Sequence, residues 1–183
     1  MGRRPGRASS RFGRFRQVLS LDVDGVRKVI AVDTNLLVYA HRAGCPEHEQ
    51  ARSAIEEAAN SGEDWGIPAS CVFEFWSVVT HPASAGGASR PSAARGFIHG
   101  LMETAGAVIL PPPAAVVPRC LQIADQMDLC GPRIFDLQIS LTALEAGVSE
   151  LWTHDAGFVG LPGLWIRDPL AEGSSHRRGV PQK

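Results

Sequence analysis

The chain has 183 residues, of which 44% are hydrophobic and 20% are charged, as is typical of a folded globular protein of about one domain. No stretch approaches the roughly 18 consecutive apolar residues of a membrane-spanning helix, and no apolar segment of a secretory signal follows the N-terminal arginines. The four cysteines form no C-x-x-C pair, which argues against a zinc site and favours reduced thiols in a cytoplasmic protein.

The formal net charge of −1 hides an uneven distribution of charge along the chain. Residues 1–28 carry a balance of +6, residues 29–170 carry −9 and residues 171–183 carry +2. We predict that the acidic segment is the folded domain and that the two basic segments are disordered extensions. Because Lys and Arg normally make phosphate contacts, a polyanionic ligand would require positive charge from a bound metal, a basic tail or a second subunit.

Short apolar runs alternate with amphipathic helical patterns along the acidic segment. The predicted strands cover residues 29–32, 64–70, 107–110, 150–155 and 164–168. The predicted helices cover residues 48–62, 70–82, 93–106, 114–131 and 134–147. This alternation predicts an α/β fold with a mainly parallel central sheet of about five strands. Ligands collect at the carboxyl ends of the strands in such sheets, where Asp33 and Asp155 fall.

Four acidic residues stand in apolar surroundings, namely Asp33, Glu74, Asp136 and Asp155. Each has an ordinary alternative role: Asp136 as a helix N-cap, Glu74 as a solvated residue, and the other two as turn residues after strands. If the four converge, each pair about 4 Å apart repels by roughly 4 kcal/mol at an effective dielectric near 20. Such a cluster stays ionised only around cations, and oxygen ligands select Mg²⁺ or Mn²⁺, which promote phosphodiester hydrolysis.

Four motifs occur in one order along the chain: AVDTNLLVYA, FEFWSVVTHP, FDLQISLTALEAG and LWTHDAGF. Together they resemble the successive motifs of PIN-domain ribonucleases, and most closely those of VapC-type toxins of bacterial toxin–antitoxin modules. The resemblance covers residues 29–169. It implies a three-layer α/β/α fold, endonuclease activity on single-stranded RNA, a homodimer and a cognate antitoxin whose segment covers the acidic groove.

The resemblance also assigns roles to individual residues. It implies that the four acidic residues bind Mg²⁺ or Mn²⁺, with Asp33 and Asp136 as the firmest ligands and with Glu74 and Asp155 completing the site. It places Thr34, Asn35 and Thr153 at polar positions that orient the carboxylates or the attacking water. On this basis we expect in-line hydrolysis that leaves 5′-phosphate and 3′-hydroxyl ends.

The N-terminal extension departs from this family, whose members commonly begin a residue or two before the first strand. Here 28 residues precede Val29. One hypothesis is that the extension is an over-long reading of the gene, with the true start near Val26 or Val29. The other hypothesis is that the extension is an RNA-contacting arm, because its balance of charge is +6.

Two alternative functions stay open at this stage. The nearer alternative is a catalytically silent PIN-like module that binds RNA or protein. The remote one is a haloacid-dehalogenase-type phosphatase, since VLSLDVDGV resembles the first motif of that family, with Asp22 as nucleophile and Asp24 as general acid. That family also needs a downstream lysine, but the only lysines are Lys28 and Lys183. A turn before the first core strand explains DVDG more simply.

Overall fold

The computed structural model describes residues 28–171 and 175–179, so residues 1–27 of the basic extension, with the Asp22/Asp24 motif, lie outside the described residues. The strands are β1 (Val29–Val32), β2 (Asp64–Pro68), β3 (Val108–Leu110), β4 (Glu150–Trp152), β5 (Trp165–Asp168) and β6 (Ser175–Arg178). They form one sheet in the order β3-β2-β1-β4-β5-β6. The first five strands pair in parallel and β6 is antiparallel to β5. The predicted α/β fold with a mainly parallel sheet is therefore confirmed.

Strand β1 occupies the point in the sheet where the strand order reverses. It pairs with β2 on one side and with β4 on the other, and all four of its residues are buried. At such a point the connections that follow adjacent strands run to opposite faces of the sheet. A crevice therefore forms outside the carboxyl ends of β1 and β4. The residues just after these two strands are therefore placed where a parallel sheet binds its ligands.

The described residues form six helices: α1 (Thr34–His41), α2 (His48–Asn60), α3 (Ala69–Thr80), α4 (Pro91–Glu103), α5 (Val116–Gln126) and α6 (Arg133–Glu145). The five predicted helices correspond to α2–α6 with boundaries shifted by a few residues. Helix α5 ends five residues earlier than predicted, since Asp128 adopts a positive φ of 49°. Gly147, with φ of 75°, closes α6 as predicted. Helix α1 was not predicted, because its apolar residues continue those of β1 without a visible change of period.

The core of the domain joins the sheet to helices α1–α4. Ile30, Leu36, Ile67 and Phe75 are among its completely buried side chains. Helix α6 contributes Ile139 and Ala143 to this core, and its Leu137 and Leu141 pack in a second apolar cluster with α5. Helix α6 is thus held on two sides. No helix in the described ranges has the length and apolar character that crossing a bilayer requires.

The prediction that residues 171–183 form a disordered tail was wrong for its described part. Residues Ser175–Arg178 form the edge strand β6, and Gly179 N donates to Leu164 O at 2.9 Å. An edge strand is held by backbone hydrogen bonds and tolerates charged side chains. The polar sequence SHRR therefore has no apolar alternation that would predict a strand. The guanidinium of Arg178 also lies over the Trp165 ring at 4.7 Å. The sheet consequently has six strands instead of about five.

Strands β2 and β3 are so close that adding a methyl group at Gly66 should lower the stability of the domain. A Cβ at Gly66 would lie 2.5 Å from Val108 O, a backbone atom that cannot turn away. We expect Gly66→Ala to lower the free energy of unfolding by about 1–3 kcal/mol, measured by urea denaturation. Gly96→Ala is the matched control, because nothing lies within 4 Å of a Cβ there. In helix α4 it should raise stability by up to about 1 kcal/mol, and equal effects of the two variants would contradict this packing.

Candidate active site

Asp33 forms the junction between β1 and α1. It is the N-cap of α1, and its Oδ1 accepts a hydrogen bond from Thr34 N at 2.7 Å. Its Oδ2 accepts from Thr153 Oγ1 at 2.7 Å and from Asn35 Nδ2 at 3.1 Å. Only 6% of the residue is exposed. The carboxylate is therefore held in one orientation by groups that follow β1 and β4.

Asn35 and Thr153 connect this carboxylate to the segment after β4. Asn35 Nδ2 donates to Thr153 Oγ1 at 2.8 Å, and Asn35 Oδ1 accepts from His154 N at 3.1 Å. Thr153 Oγ1 also accepts from Asp155 N at 3.1 Å. One hydroxyl thus donates to Asp33 and accepts from the backbone of Asp155. This network fixes the position of the Asp155 backbone relative to Asp33.

Helix α3 supplies the second carboxylate. Glu74 Oε2 accepts from Thr34 Oγ1 at 2.7 Å, which fixes one of its oxygens although the residue is exposed. One turn earlier on the same helix, the buried Cys71 thiol donates to Asp33 Oδ1 at 3.7 Å. Helix α3 therefore contacts both Asp33 and its neighbour Thr34. The sequence reasoning missed Cys71, whose place three residues before Glu74 on a helix was the available signal.

The remaining two carboxylates have different local settings. Asp136 is the fourth residue of α6, whose N-cap is Pro132, so Asp136 does not have the alternative N-cap role. Its Oδ2 accepts from Val159 N at 3.3 Å. Asp155 is exposed, and its Oδ1 accepts from Gly157 N at 2.7 Å in a tight turn.

The four carboxylates line one open cleft of about 490 Å³. Of the seven residues assigned to the site by sequence, six line this cleft: Asp33, Thr34, Asn35, Glu74, Asp136 and Asp155. Thr153 lies behind them, 1% exposed and bonded to Asp33. Tyr39, Arg133 and Phe135 complete much of the wall. Tyr39 lies four residues after Asn35 in α1, so the two side chains share one face of that helix. Tyr39 was not predicted because α1 was not predicted.

The electrostatics of the cleft show that its carboxylates interact. Burial raises the pKa of Asp33 from 3.8 to about 6, against the lowering effect of the hydrogen bonds from Thr153 and Thr34. The charges of Glu74 and Asp136 raise it further. Burial likewise raises the pKa of Asp136 from 3.8 to about 6, with added repulsion from Asp155 and Glu74 and an opposing effect of Arg133. A cation in the cleft would offset the cost of burying these charges and would reduce the repulsion between them.

The donor groups of the cleft fit a hard divalent cation in kind and in charge. They are carboxylate oxygens with hydroxyl and amide oxygens nearby, the ligand set that Mg²⁺ and Mn²⁺ prefer. Across residues 28–171 and 175–179, no three His, Cys, Asp or Glu side chains already surround one point as metal ligands do. Among these residues the carboxylates thus share the cleft without forming a closed coordination shell.

Comparison with known proteins identifies the family. A family model of the PIN domain matches residues 30–164, and this chain belongs to the PIN domain family. The predicted family is therefore confirmed. The match lies within residues 29–170, and the limits we predicted for the domain remain a prediction.

Two mycobacterial relatives are similar over most of the chain. They are the VapC ribonuclease Mb2897 of Mycobacterium bovis and the ribonuclease VapC43 of Mycobacterium tuberculosis. Each is 33% identical over 148 residues, which is 81% of this chain and 99% of the relative. The alignment therefore includes nearly the whole of each relative.

Two solved structures share the fold at 16% sequence identity. One is VapC20 of Mycobacterium tuberculosis, a sarcin–ricin loop cleaving toxin, with a TM-score of 0.54 over 70% of this chain and 92% of that one. The other is VapBC2 from Rickettsia felis bound to a DNA fragment from its promoter, with a TM-score of 0.56 over 75% and 96%. At this identity the likeness concerns the fold alone.

The raised pKa of Asp136 predicts how stability depends on pH without metal. Because the folded state holds this proton more tightly than the unfolded state, its contribution to stability is largest below about pH 4 and is lost as the pH rises through about 6. Asp136→Asn should therefore raise the free energy of unfolding at pH 7.5 by roughly 1 kcal/mol, and by less near pH 4. Urea denaturation in EDTA at both pH values measures the difference.

The control for this experiment is Asp125→Asn, at an exposed position of α5. It should change stability little at either pH. An Asp136→Asn protein that is less stable than the wild type at pH 7.5 would contradict the repulsion inferred for the cleft.

Proposed function

We propose that this chain is a Mg²⁺- or Mn²⁺-dependent endoribonuclease and the toxin of a toxin–antitoxin pair. The observation that carries the proposal is that carboxylates from four separate parts of the chain line one cleft, where burial and, to a lesser extent, the neighbouring carboxylate charges raise the pKa of Asp33 and Asp136. Repulsion of this kind opposes folding unless a cation is bound. The similarity to two VapC ribonucleases over almost their full length supports the same activity.

We propose separate roles for the residues of the cleft. Asp33 and Asp136 would hold the metal, with Glu74 and Asp155 completing the site. A bound Mg²⁺ or Mn²⁺ lowers the pKa of water and neutralises charge on the reacting phosphate. Thr34 fixes Glu74 by its hydrogen bond, and Thr153 with Asn35 fixes Asp33. The proposed reaction is hydrolysis of a phosphodiester bond that leaves a 5′-phosphate.

The shape of the cleft favours a polymer as substrate. It is open along the surface, and Val78, Phe135 and Ile139 give it apolar walls between the polar groups. An open trough admits a nucleotide chain that continues beyond the site, whereas small molecules are usually enclosed on most sides. Apolar and aromatic walls also suit the faces of unpaired bases, so we propose single-stranded RNA as the substrate.

The surface of α3 beside the cleft supports a protein partner. Phe73 and Trp76 are 74% and 40% exposed, and both flank Glu74 in sequence. Large exposed aromatic side chains next to one another mark interaction surfaces. We propose that an antitoxin covers this face and that a second copy of the chain completes a homodimer. A basic side chain of the antitoxin inserted in the cleft would compete with the metal for the same carboxylates.

Loss of the buried carboxylate should abolish cleavage. Asp33→Asn keeps the shape of the side chain and removes the charge, so we expect RNA cleavage in Mg²⁺ to fall at least about 100-fold. EDTA should have the same effect on the wild type. The measurement is cleavage of total RNA with mapping of the new 5′ ends, and Asp125→Asn serves as a control that retains activity. Equal cleavage by the Asp33→Asn protein would point to contamination, and specific RNA binding without cleavage would favour the silent binding module.

The hydrogen bond from Thr34 to Glu74 predicts a positioning effect. Thr34→Val preserves shape but frees Glu74, so activity should fall about 10- to 100-fold and the Mg²⁺ concentration for half-maximal rate should rise. Titration of activity with Mg²⁺ measures both changes. Thr142→Val is the matched control, because that hydroxyl donates to Gln138 O within α6 and so lies in a local helical hydrogen bond. If the Mg²⁺ requirement of Thr34→Val matches that of the control, the hydrogen bond has no positioning role.

A further inference from the structure

A second cavity of about 150 Å³ adjoins the catalytic cleft, and Arg133 lines both. Arg177 and Arg178 of β6 line the same cavity. Among the described residues that line it none is acidic, although residues 29–170 carry a balance of −9. We call this cavity, with its three arginines, the arginine groove. Arg133 and Arg177 place positive charge beside a cluster of carboxylates, whereas the guanidinium of Arg178 lies over the ring of Trp165.

The arginine groove is held to the catalytic cleft by specific contacts. Arg177 Nη2 donates to Asp155 O at 2.8 Å, so β6 contacts the backbone of a cleft residue. The end of β6 is closely packed, since a Cβ at Gly160 would lie 3.0 Å from Gly179 Cα. The ring of Trp165 supports the guanidinium of Arg178. The positions of these arginines relative to the cleft are thus set by the fold.

The arginines of the domain differ in whether a carboxylate lies beside them. Arg52, Arg119 and Arg167 pair with glutamates. By contrast, no carboxylate within the described ranges lies within 4.0 Å of a guanidinium nitrogen of Arg133, Arg177 or Arg178. Arg133 also begins α6, whose N-terminal backbone N–H groups add positive potential. Arg133 and Arg177 line one cavity and have no carboxylate partner among the described residues, so an anion bound there would gain charge-assisted hydrogen bonds.

We propose that the arginine groove binds phosphodiester groups of single-stranded RNA next to the one that is cleaved. This proposal rests on the proposed function, because the cleft supplies the reacting phosphate and Arg133 joins the cleft to the groove. Phosphate contacts fix the path of a nucleic acid without recognising its sequence. The arginines therefore act as positioning residues that hold the chain across an acidic site which would otherwise repel it.

Binding and cleavage of RNA by arginine variants test this role separately. The ligand is a fluorescein-labelled single-stranded RNA of about 12 nucleotides, and binding is followed by anisotropy in EDTA over a range of salt concentrations. We expect the double variant Arg133→Gln/Arg177→Gln to bind at least about tenfold more weakly at low salt. The slope of log K against log salt should fall by about 0.7 for each arginine removed. In Mg²⁺, the KM for RNA should rise more than kcat falls.

Charge-retaining and remote variants separate this role from a structural one. Arg177→Lys should recover most of the binding and the salt slope, whereas a purely structural loss would leave the slope unchanged. Arg52→Gln, at an exposed pair on α2, should match the wild type. If the double variant binds RNA with the affinity and slope of Arg52→Gln, the proposal is overturned. If the wild type binds RNA through these arginines yet cleaves none, the groove stands and the proposed nuclease activity fails.

Discussion

The site depends on one buried carboxylate, that of Asp33, at the end of the central strand. Burying a charge is costly unless hydrogen bonds and an opposite charge compensate. Here a backbone amide, the hydroxyl of Thr153 and the amide of Asn35 supply the hydrogen bonds, yet the pKa remains raised to about 6. The compensation that the protein provides is therefore incomplete. In the proposed function a cation would complete this compensation, and the neighbouring carboxylates would be its other ligands.

The same hydrogen bonds that hold Asp33 connect the secondary structure around the cleft. Strands β1 and β4 are adjacent in the sheet, and Asn35 and Thr153 join the segments that follow them. Helix α3 is attached through Thr34 and Glu74. Binding geometry and local fold are thus maintained by one polar network. Repulsion among the carboxylates lowers the stability of the metal-free domain, a common cost of a functional site.

Acidic and basic side chains are grouped in two adjoining cavities, an arrangement that suits binding of a nucleic acid. The cleft concentrates carboxylates where a metal would bind, and the arginine groove concentrates guanidinium groups where neighbouring phosphates would lie. Arg133 stands at the boundary and belongs to both cavities. A polyanion approaching the cleft alone would meet net negative charge. The proposed division into two adjoining sites of opposite sign would allow an acidic domain to act on RNA.

Much of the fold could be predicted from the sequence itself, because the spacing of apolar residues along a strand or helix is a local property. The buried run before Asp33 and the amphipathic helices were enough to predict the α/β fold. The order of four short motifs predicted the PIN family and, through that resemblance, seven site residues whose roles remain a prediction; six of them line the cleft and Thr153 lies behind it. Helix α1 was missed because its apolar residues continue those of β1. Strand β6 was missed because an edge strand is held by backbone hydrogen bonds to β5 and needs no apolar pattern.

Only the tertiary structure decided which residues meet across long separations in the chain. The contact of Cys71 with Asp33, the bond of Asp136 to Val159 N and the gathering of Arg133 with Arg177 each join separate elements. Such contacts depend on how helices dock on the sheet, which local propensity does not encode. The raised pKa of Asp33 and Asp136 is likewise a property of their burial together. It arises in the folded chain, which buries Asp33 and partly buries Asp136.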